Sequence, residues 1–291
     1  MDGEGGRVVR RILLVSCPDR PGLVATIAGW VAGRGGNILD LDHHTDVESR
    51  WFFLRMLFVV PPEGAALDVL TTEFSPLVGA FEMTVSFRDP TVPIRMAILV
   101  SKYDHCLVDL LLATRHEDLP VTVPVVISNH ETVRSWADLF QIPFVHLPVT
   151  PDTKPQQEGS VLEELQRARV SLIVLARYMQ VLSGDFLARV GCPVINVHHS
   201  FLPAFVGAKP YHQAFERGVK MIGATAHFAT TELDEGPIID QETVRVSHRD
   251  GVADLVRKGR DNERQVLTRA VRAQVTHRVL TWRGKTIVFD E

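Results

Sequence analysis

A regular alternation of strand-like and helix-like segments beyond residue 93 constrains the possible folds more than any other feature of the sequence. The apolar segments have the length and composition of buried strands, and they cover residues 94–100, 121–127, 143–147, 171–176 and 193–197. Segments with helical apolar spacing separate them, for example at 106–114 and 161–168. This order predicts a doubly wound, mostly parallel sheet with helices on both faces and ligands at the carboxyl ends of the strands.

The residues before position 90 follow another order. They predict strands at 7–16, 37–45, 51–60 and 82–87, and helices at 20–33 and 67–78. This βαββαβ order is that of a ferredoxin-like domain. Pro90 and Pro93 bracket the expected linker, because proline interrupts regular hydrogen bonding. A chain of 291 residues is long enough for two cores, so we expect an α/β protein with domains at 7–90 and 94–291.

Charge and composition argue against several classes of function. The net charge of -4 and the lack of a dense run of lysine and arginine argue against a nucleic-acid partner. No apolar run is long enough to span a membrane. Residues 1–6 are small and acidic, unlike a secretory signal. The cysteines, Cys17, Cys106 and Cys192, are isolated from one another, which is typical of reduced thiols and predicts a cytoplasmic protein.

Polar residues at the end of one predicted strand are the best candidates for chemistry. Asn196 and His198 lie two positions apart, so both side chains project from the same face of that strand. Asp234 lies in a loop after a second predicted strand, 221–229, and before a third that begins at residue 237. We expect these three side chains to converge where the strands end.

The segments around these residues resemble the folate-dependent formyltransferase superfamily. The resemblance rests on residues 175–183, 196–203, 224–228 and 233–239. With residues 101–106 and the extra amino-terminal domain, the combination is most similar to the formyltetrahydrofolate deformylase family. The resemblance implies hydrolysis of 10-formyltetrahydrofolate to formate and tetrahydrofolate, which supplies formate to purine biosynthesis and balances one-carbon pools.

The three polar groups suit the hydrolysis of an N-formyl group. Asn196 can donate an amide N–H to the oxyanion that forms, a contact worth roughly 3 to 4 kcal/mol at comparable sites. His198 can stabilise the same oxygen or move protons, because histidine changes charge near neutral pH. Asp234 can orient the water and His198, and it can accept the proton of the water if burial raises its pKa. The sequence leaves open which of the two transfers the proton.

The resemblance also implies a folate pocket. In the superfamily, the segment matching 175–182 and the loop matching 229–233 hold the pterin ring through main-chain hydrogen bonds. The substrate-binding residues carried over to this chain are Leu175, Met179, Gln180, Leu182 and Thr231. The side chains of Leu175 and Met179 suit a simple core position equally well.

The turn after the first strand of the predicted parallel sheet separates two kinds of enzyme. Formyltransferases that act on a phosphorylated glycinamide have a glycine-rich, phosphate-binding turn there. In this chain the turn, residues 101–105, contains no glycine and includes Asp104. We therefore expect water to be the acceptor. The side chains of Lys102 and His105 either face the site or cap the following helix.

The carboxyl-terminal residues bear on the same choice. They predict a helix at 251–277 and a single closing strand at 281–289, with no appended domain of the kind that grips a formyl-accepting tRNA. Two alternatives to a hydrolase remain open. One is a formyltransferase that passes the formyl group from 10-formyltetrahydrofolate to a small amine. The other is a folate or amino-acid sensor that keeps the fold without catalysis.

Paired histidines raise the alternative of a metal site. Adjacent residues of a strand point to opposite faces, so neither His198 with His199 nor His43 with His44 brings two imidazoles onto one ion. We expect no metal ion. We also expect no cofactor, since the resemblance makes folate the substrate.

The first domain resembles an ACT domain, a small regulatory module. The resemblance rests on residues 18–24, at the first strand-to-helix turn, and on residues 35–38, after that helix. It implies an amino-acid effector such as glycine or methionine. The effector-binding residues that it implies are Asp19, Arg20, Pro21, Gly22 and Asn37. Small modules of this type rarely enclose a site alone, so we expect a homo-oligomer.

Overall fold

The computed structural model describes residues 8–203 and 210–290. These residues form two compact units. The first unit takes in the chain up to Val92 together with Thr276–Leu280 and the terminal segment from Ile287, and the second takes in Pro93–Val275 and Thr281–Thr286. No helix in the described ranges is long and apolar enough to cross a membrane.

The first unit is built on a four-stranded antiparallel sheet. Its elements in chain order are β1 (Val9–Pro18), α1 (Leu23–Ala32), β2 (Asn37–Asp46), β3 (Trp51–Val60), α2 (Leu67–Phe81) and β4 (Thr84–Arg88). The strands lie in the order β2-β3-β1-β4. The predicted βαββαβ, ferredoxin-like arrangement is therefore confirmed.

The core of the first unit lies between its sheet and its two helices. Leu13, Val15 and Cys17 of β1 are buried in it, because residues two apart in a strand share a face. Ile27 of α1 and Phe74 of α2 belong to the same buried cluster. Burial raises the pKa of the Cys17 thiol to about 11, so this group stays protonated at neutral pH.

The second unit is built on a seven-stranded sheet. Its elements in chain order are β5 (Ile94–Val100), α3 (His105–Arg115), β6 (Val121–Ser128), α4 (Arg134–Leu139), β7 (Phe144–His146), α5 (Lys154–Arg167), β8 (Leu172–Ala176), α6 (Gly184–Val190), β9 (Val194–His198), α7 (Pro210–Glu216), β10 (Met221–Phe228), β11 (Ile238–Arg245) and α8 (Val252–Val275).

The strands of this sheet lie in the order β11-β10-β9-β8-β5-β6-β7. The pairs from β9 to β7 are parallel, whereas β10 runs antiparallel to both β9 and β11. The predicted mostly parallel sheet is confirmed. The carboxyl ends of β5, β8 and β9 meet at one edge, which is where sheets of this kind bind ligands.

The end of the chain differs from its prediction. A hairpin of β12 (Val279–Trp282) and β13 (Lys285–Val288) replaces the single strand predicted at 281–289. That prediction was wrong because the chain reverses at Arg283 and Gly284, which have φ angles of 48° and 75°. Two successive residues with positive φ match the tight turn that joins antiparallel strands.

Residues 276–280 and the terminal segment from residue 287 group with the first unit, whereas the predicted second domain included them. Arg55 of β3 accounts for part of this grouping. Its Nε donates to the carbonyl of His277 at 3.1 Å, and its Nη2 donates to the carbonyl of Thr276 at 3.4 Å. The partners of Arg55 are main-chain carbonyls, and His277 lies 222 positions away from it in sequence. Residue type therefore does not predict this contact.

Candidate active site

Strand β9 brings the first two candidate residues into the middle of the large sheet. It lies between β8 and β10, and its last residues include Asn196 and His198. The antiparallel pairing with β10 sets Asn196 opposite His227 and His198 opposite Thr225. Asp234 lies in the loop between β10 and β11. The site is therefore assembled at the end of β9 and in the connection that follows β10.

The predicted polar groups converge. His198 Nδ1 lies 3.1 Å from Asp234 Oδ2, and both side chains are largely buried. The amide nitrogen of Asn196 lies 3.2 Å from Nε2 of His227, which in turn lies 3.6 Å from Asp234 Oδ1. His227 thus connects the amide to the carboxylate. His227 lies in the segment 224–228 that carries the family resemblance, but it is not among the residues predicted to form the site.

A tight loop holds Asp234 in position. Asp234 has a φ of 58°, in the left-handed region that side chains other than glycine seldom adopt. The loop closes where the N–H of Phe228 donates to the carbonyl of Pro237 at 2.9 Å. A Cβ atom at Gly236 would meet the carbonyl oxygen of Phe228 at 1.7 Å. Only glycine fits there without a shift of the backbone.

Asp234 is a carboxylate at neutral pH. Its hydrogen bond with His198, followed by that with His227, holds the pKa of the Asp234 carboxyl far below its usual range, and burial opposes this only in part. Burial alone would raise this pKa, but the two imidazoles outweigh the loss of water, so the condition for Asp234 to accept the proton is not met. Asp234 is therefore a poor acceptor for the proton of an attacking water.

His198 has one nitrogen free for chemistry. Its Nδ1 faces the carboxylate of Asp234, which can only accept a hydrogen bond, so Nδ1 carries the proton. In the neutral ring Nε2 then has a lone pair. This atom is buried and has no hydrogen-bond partner in the part of the chain that the structure describes. An unbonded, oriented imidazole nitrogen of this kind can take a proton from water.

His227 is fixed by the backbone. Its Nδ1 donates to the carbonyl of Phe228 at 3.0 Å, so in the neutral ring Nε2 is an acceptor for the Asn196 amide. One N–H of Asn196 is then used, and the other remains to bind an oxyanion. When protonated, His227 Nε2 donates to Asp234 instead. The neutral ring thus orients the Asn196 amide, and the protonated ring orients the Asp234 carboxylate.

A cavity of about 60 Å³ lies beside these groups. Six of the predicted site residues line it, namely Leu175, Gln180, Leu182, Asn196, Thr231 and Asp234. The structure brings these residues together, and their contact with a folate stays a prediction. The cavity is partly open to solvent, so a larger ligand can extend beyond it.

Met179 lies elsewhere. Its φ of 58° interrupts the extended backbone after β8, and its side chain is 55% exposed. It lines a second cavity of about 270 Å³ rather than the first. Residue type does not predict that Met179 and its neighbour Gln180 line different cavities. The backbone conformation at Met179 separates the two side chains.

The second cavity contains a buried cluster that the sequence analysis did not identify. Glu263 of α8 is 1% exposed and bonds to Nε2 of His105 at 2.8 Å and to the hydroxyl of Tyr211 at 2.7 Å. Nε of Arg177 lies 3.5 Å from the same carboxylate. These contacts hold the pKa of Glu263 below its usual value against the opposing effect of burial. The His105 side chain therefore faces the second cavity rather than capping α3.

The turn before α3 has no glycine-rich anion cradle. It spans residues 101–104, and α3 begins at His105. The carboxylate of Asp104 accepts a hydrogen bond from the indole of Trp136 at 3.0 Å. An acidic side chain fixed beside the first turn of the helix disfavours a phosphate there.

Within the described ranges the paired histidines are not among the grouped side chains that could hold a metal ion. His43 and His44 lie on β2, where their rings pack against Phe52 and Phe53 respectively. Burial, followed by the charge of Arg177, lowers the pKa of His199 to about 4, so this ring is neutral at neutral pH. Ligand atoms of His105, Cys106 and Glu263 do lie within 4.8 Å of one another. The nearby Arg177 cation disfavours a metal ion at that cluster.

The residues predicted to bind an effector are divided within one chain. Asp19 follows β1, where its N–H donates to the carbonyl of Arg50 and its carboxylate lies 3.5 Å from the Thr45 hydroxyl. Arg20 pairs with Glu82 at the end of α2. Pro21 and Gly22 complete this turn, whereas Asn37 begins β2, eight residues before Thr45. Eight strand residues span about 26 Å, so Asn37 and the turn do not share one site in a single protomer.

Comparison with known proteins agrees with this geometry. Residues 94–271 match the family model described as Formyl transferase, and residues 11–70 match that of the ACT domain. A formyltetrahydrofolate deformylase of Synechocystis sp. is 49% identical over 279 residues, which cover 95% of this chain and 97% of that protein. The crystal structure of a formyltetrahydrofolate deformylase from Pseudomonas syringae pv. tomato superposes with a TM-score of 0.92 at 43% identity, covering 99% of this chain and 96% of that one.

A second solved structure is similar to only part of the chain. Glycinamide ribonucleotide transformylase 1 from Symbiobacterium toebii has a TM-score of 0.65 and 32% identity, covering 70% of this chain and 97% of that one. The parallel sheet and the groups at its strand ends thus define an enzyme of the formyl transferase class. With relatives matched over nearly its whole length, the chain belongs to the formyltetrahydrofolate deformylase family.

Proposed function

We propose that the protein hydrolyses 10-formyltetrahydrofolate to formate and tetrahydrofolate. The observation that carries this proposal is the free Nε2 of His198, whose other nitrogen is held by Asp234 at 3.1 Å. The amide of Asn196 lies next to this pair on the same strand face. The site thus has a proton acceptor, a carboxylate that stabilises the charged imidazole, and a donor for the oxyanion.

The groups divide the reaction as follows. His198 Nε2 takes a proton from water while the water oxygen bonds to the formyl carbon. The carbonyl oxygen becomes an oxyanion, and the N–H of Asn196 donates to it. Asp234 stabilises the imidazolium of His198 without taking its proton. The C=O bond re-forms as the C–N bond breaks, His198 returns its proton to the folate nitrogen, and the released formic acid loses its remaining acidic proton to solvent to become formate.

The alternative, transfer of the formyl group to a small amine, is not favoured. The relatives matched over nearly the whole chain are named as deformylases. The structure from a glycinamide transformylase matches a smaller share of the chain. The turn at residues 101–104 also lacks the glycines that a phosphorylated acceptor requires.

A formate-release assay tests the proposal directly. The purified protein should convert 10-formyltetrahydrofolate to formate without any added amine. Substitutions Asn196→Ala, His198→Ala and Asp234→Ala should each reduce kcat far more than the affinity for folate. Formation of formate only when an amine is present, or transfer of the formyl group onto that amine, would overturn the hydrolase proposal.

We also propose that catalysis needs no metal or other cofactor. An imidazole, a carboxylate and an amide supply the proton transfer and the oxyanion donor that the hydrolysis requires. Dialysis against a strong chelator should leave kcat unchanged. Loss of activity that returns on adding a divalent metal would contradict this.

For the first unit we propose regulation by a small amino acid, glycine or methionine, in a homo-oligomer. The separation of Asn37 from the turn at residues 19–22 supports a site that two protomers complete. Titration with each amino acid should change kcat or the sedimentation coefficient. The idea fails if neither quantity responds at millimolar concentrations.

We further propose that the enzyme works in the cytoplasm and supplies formate to purine biosynthesis. Cys17, Cys106 and Cys192 are free thiols, as a reducing compartment requires. Cell fractionation should recover the protein with cytoplasmic markers, and its loss should create a requirement for formate or purines. Recovery in another fraction would contradict the cytoplasmic location. Growth of the deletion strain without added formate or purines would contradict the role in purine biosynthesis.

A further inference from the structure

We propose that the second cavity, lined by Arg177, Arg260, His105 and His199, is a binding site for a small carboxylate, and that formate released by the reaction occupies it on leaving. The inference rests on the proposed hydrolysis for the identity of the carboxylate. The binding site itself rests on the geometry and charge of the cavity, which do not depend on turnover.

The cavity adjoins the reacting groups. His199, which lines it, directly follows His198, and the two rings lie 5.0 Å apart between centroids. On the other wall, Met179 lines the second cavity while Gln180 lines the first. The segments 179–180 and 196–199 therefore each contribute residues to both cavities. A product formed beside His198 has the second cavity next to it.

The cavity has more positive charge than its one buried carboxylate neutralises. Both oxygens of Glu263 already accept hydrogen bonds, from His105 and from Tyr211. The guanidinium groups of Arg177 and Arg260 lie 5.4 Å and 5.7 Å from the centroid of the same Tyr103 ring. An anion in the cavity beside this ring is therefore attracted by both guanidinium groups.

Arg177 has an unused donor. Its side chain is 10% exposed, and its Nε has no hydrogen-bond partner among the described residues. The nearest carboxylate oxygen, on Glu263, lies at 3.5 Å and does not form a hydrogen bond with it. A buried guanidinium N–H without a partner is unfavourable. A carboxylate matches the fork of N–H groups that a guanidinium presents.

The opposite charges of the two cavities favour movement of formate from the first cavity to the second. The first cavity is lined by Asp234, whose depressed pKa keeps it negative. Formate is an anion, so it is repelled from that cavity, where tetrahydrofolate still occupies the pterin position. The arginines of the second cavity attract it. The cavity volume of about 270 Å³ leaves room for formate together with water.

Equilibrium binding to the full-length protein tests the inference without turnover. We would titrate ¹³C-formate into the enzyme in the absence of folate and follow its NMR line width, with acetate and inorganic phosphate as parallel arms. Arg260→Gln should weaken formate binding at least tenfold. The matched control is Arg257→Gln, which removes an exposed charge from the same helix outside the cavity. Tighter binding of phosphate than of formate would assign the cavity to another oxyanion and overturn the formate assignment.

Product inhibition links the cavity to catalysis. The inhibition constant of formate should rise at least tenfold in Arg260→Gln and stay at the wild-type value in Arg257→Gln. Equal formate binding in all three proteins overturns the carboxylate site even when the enzyme releases formate normally. Conversely, an enzyme that binds formate through Arg260 but releases none from 10-formyltetrahydrofolate retains the site and refutes the proposed hydrolysis.

Discussion

At the scale of single residues, the tautomer of His198 depends on Asp234. The carboxylate accepts the Nδ1 proton, which leaves Nε2 free. Asp234→Asn replaces it with an amide whose N–H can face Nδ1 and force the proton onto Nε2. By comparison with a similar dyad, we expect kcat to fall by about 10⁴-fold. Steady-state kinetics should show this loss with a nearly unchanged KM.

The matched control for that substitution is Glu232→Gln, which removes an exposed acid from the same loop. Its kcat should stay within about twofold of wild type, because exposed substitutions away from a site have small effects. Unchanged turnover in Asp234→Asn would show that the dyad has no chemical role, and a lack of turnover in the wild type as well would favour the non-catalytic sensor.

His227 is a positioning residue at the same scale. It contacts the Asn196 amide at 3.2 Å and lies 3.6 Å from Asp234, while its own Nδ1 is bonded to the backbone. His227→Phe removes both contacts, and we expect kcat to fall by about 10²-fold through misplacement of the other groups. The pKa of the Asp234 carboxyl should rise, so activity should be lost at a higher pH on the acid side.

A substitution that restores one contact separates positioning from simple loss of packing. His227→Gln keeps a polar group toward Asn196 and should recover part of the kcat that His227→Phe loses. The KM for 10-formyltetrahydrofolate should change little in either variant. A large rise in KM with kcat unchanged would show that His227 acts in substrate binding instead.

The sequence allowed Asn196, His198 and Asp234 to be chosen, because strand periodicity and a family resemblance both point to them. His227 and the Glu263 cluster were missed for a physical reason. Their roles depend on which residue of β10 lies opposite Asn196, and on which face of α8 approaches α3. Strand register and helix packing are long-range properties that residue type alone does not determine.

At the scale of elements, the connection from β10 to β11 controls where Asp234 lies. Gly236→Ala would put a Cβ 1.7 Å from the carbonyl oxygen of Phe228, so the backbone must shift. Since a displacement of about 1 Å can reduce a rate about 10²-fold, kcat should fall by that order. Gly159→Ala is the control, because its Cβ meets nothing within 4 Å.

Circular dichroism would show whether the Gly236→Ala protein still folds. A folded variant with low kcat supports a loop that positions Asp234. A folded variant with wild-type kcat would mean that the loop tolerates the shift and that Asp234 is positioned by its histidine contacts alone.

The order of the elements was predictable because apolar periodicity and flanking residues indicate each strand and helix. The turn at Arg283 and Gly284 was missed since arginine gives no signal for a positive φ, and the apolar residues on both sides read as one strand. The grouping of residues 276–280 with the first unit depends on carbonyls that accept from Arg55. Main-chain acceptors have no sequence signature.

At the scale of the whole molecule, stability should depend on pH through histidines that stay neutral when folded. Burial first, and then nearby positive charge, lowers the pKa of His199 and of His277 to about 4 each. Histidine in an unfolded chain has a pKa of about 6.5. Between these values the unfolded state binds more protons, so stability falls as the pH is lowered from about 6.5 toward 4.

The urea midpoint of the full chain, followed by fluorescence at pH 7.5 and pH 4.5, should therefore be markedly lower at the acid pH. His277→Asn should reduce the difference in unfolding free energy between the two pH values by on the order of 2 kcal/mol, because asparagine does not titrate and tolerates the positive φ of 56° at this position. The exposed His248→Gln is the matched control and should leave the difference unchanged. Asp234 contributes in a separate, lower window, because its folded pKa is depressed and its stabilisation is lost only as the carboxylate protonates below about pH 4. An equal acid sensitivity in His277→Asn and wild type would show that His199 or carboxylates, and not His277, set the response above pH 4.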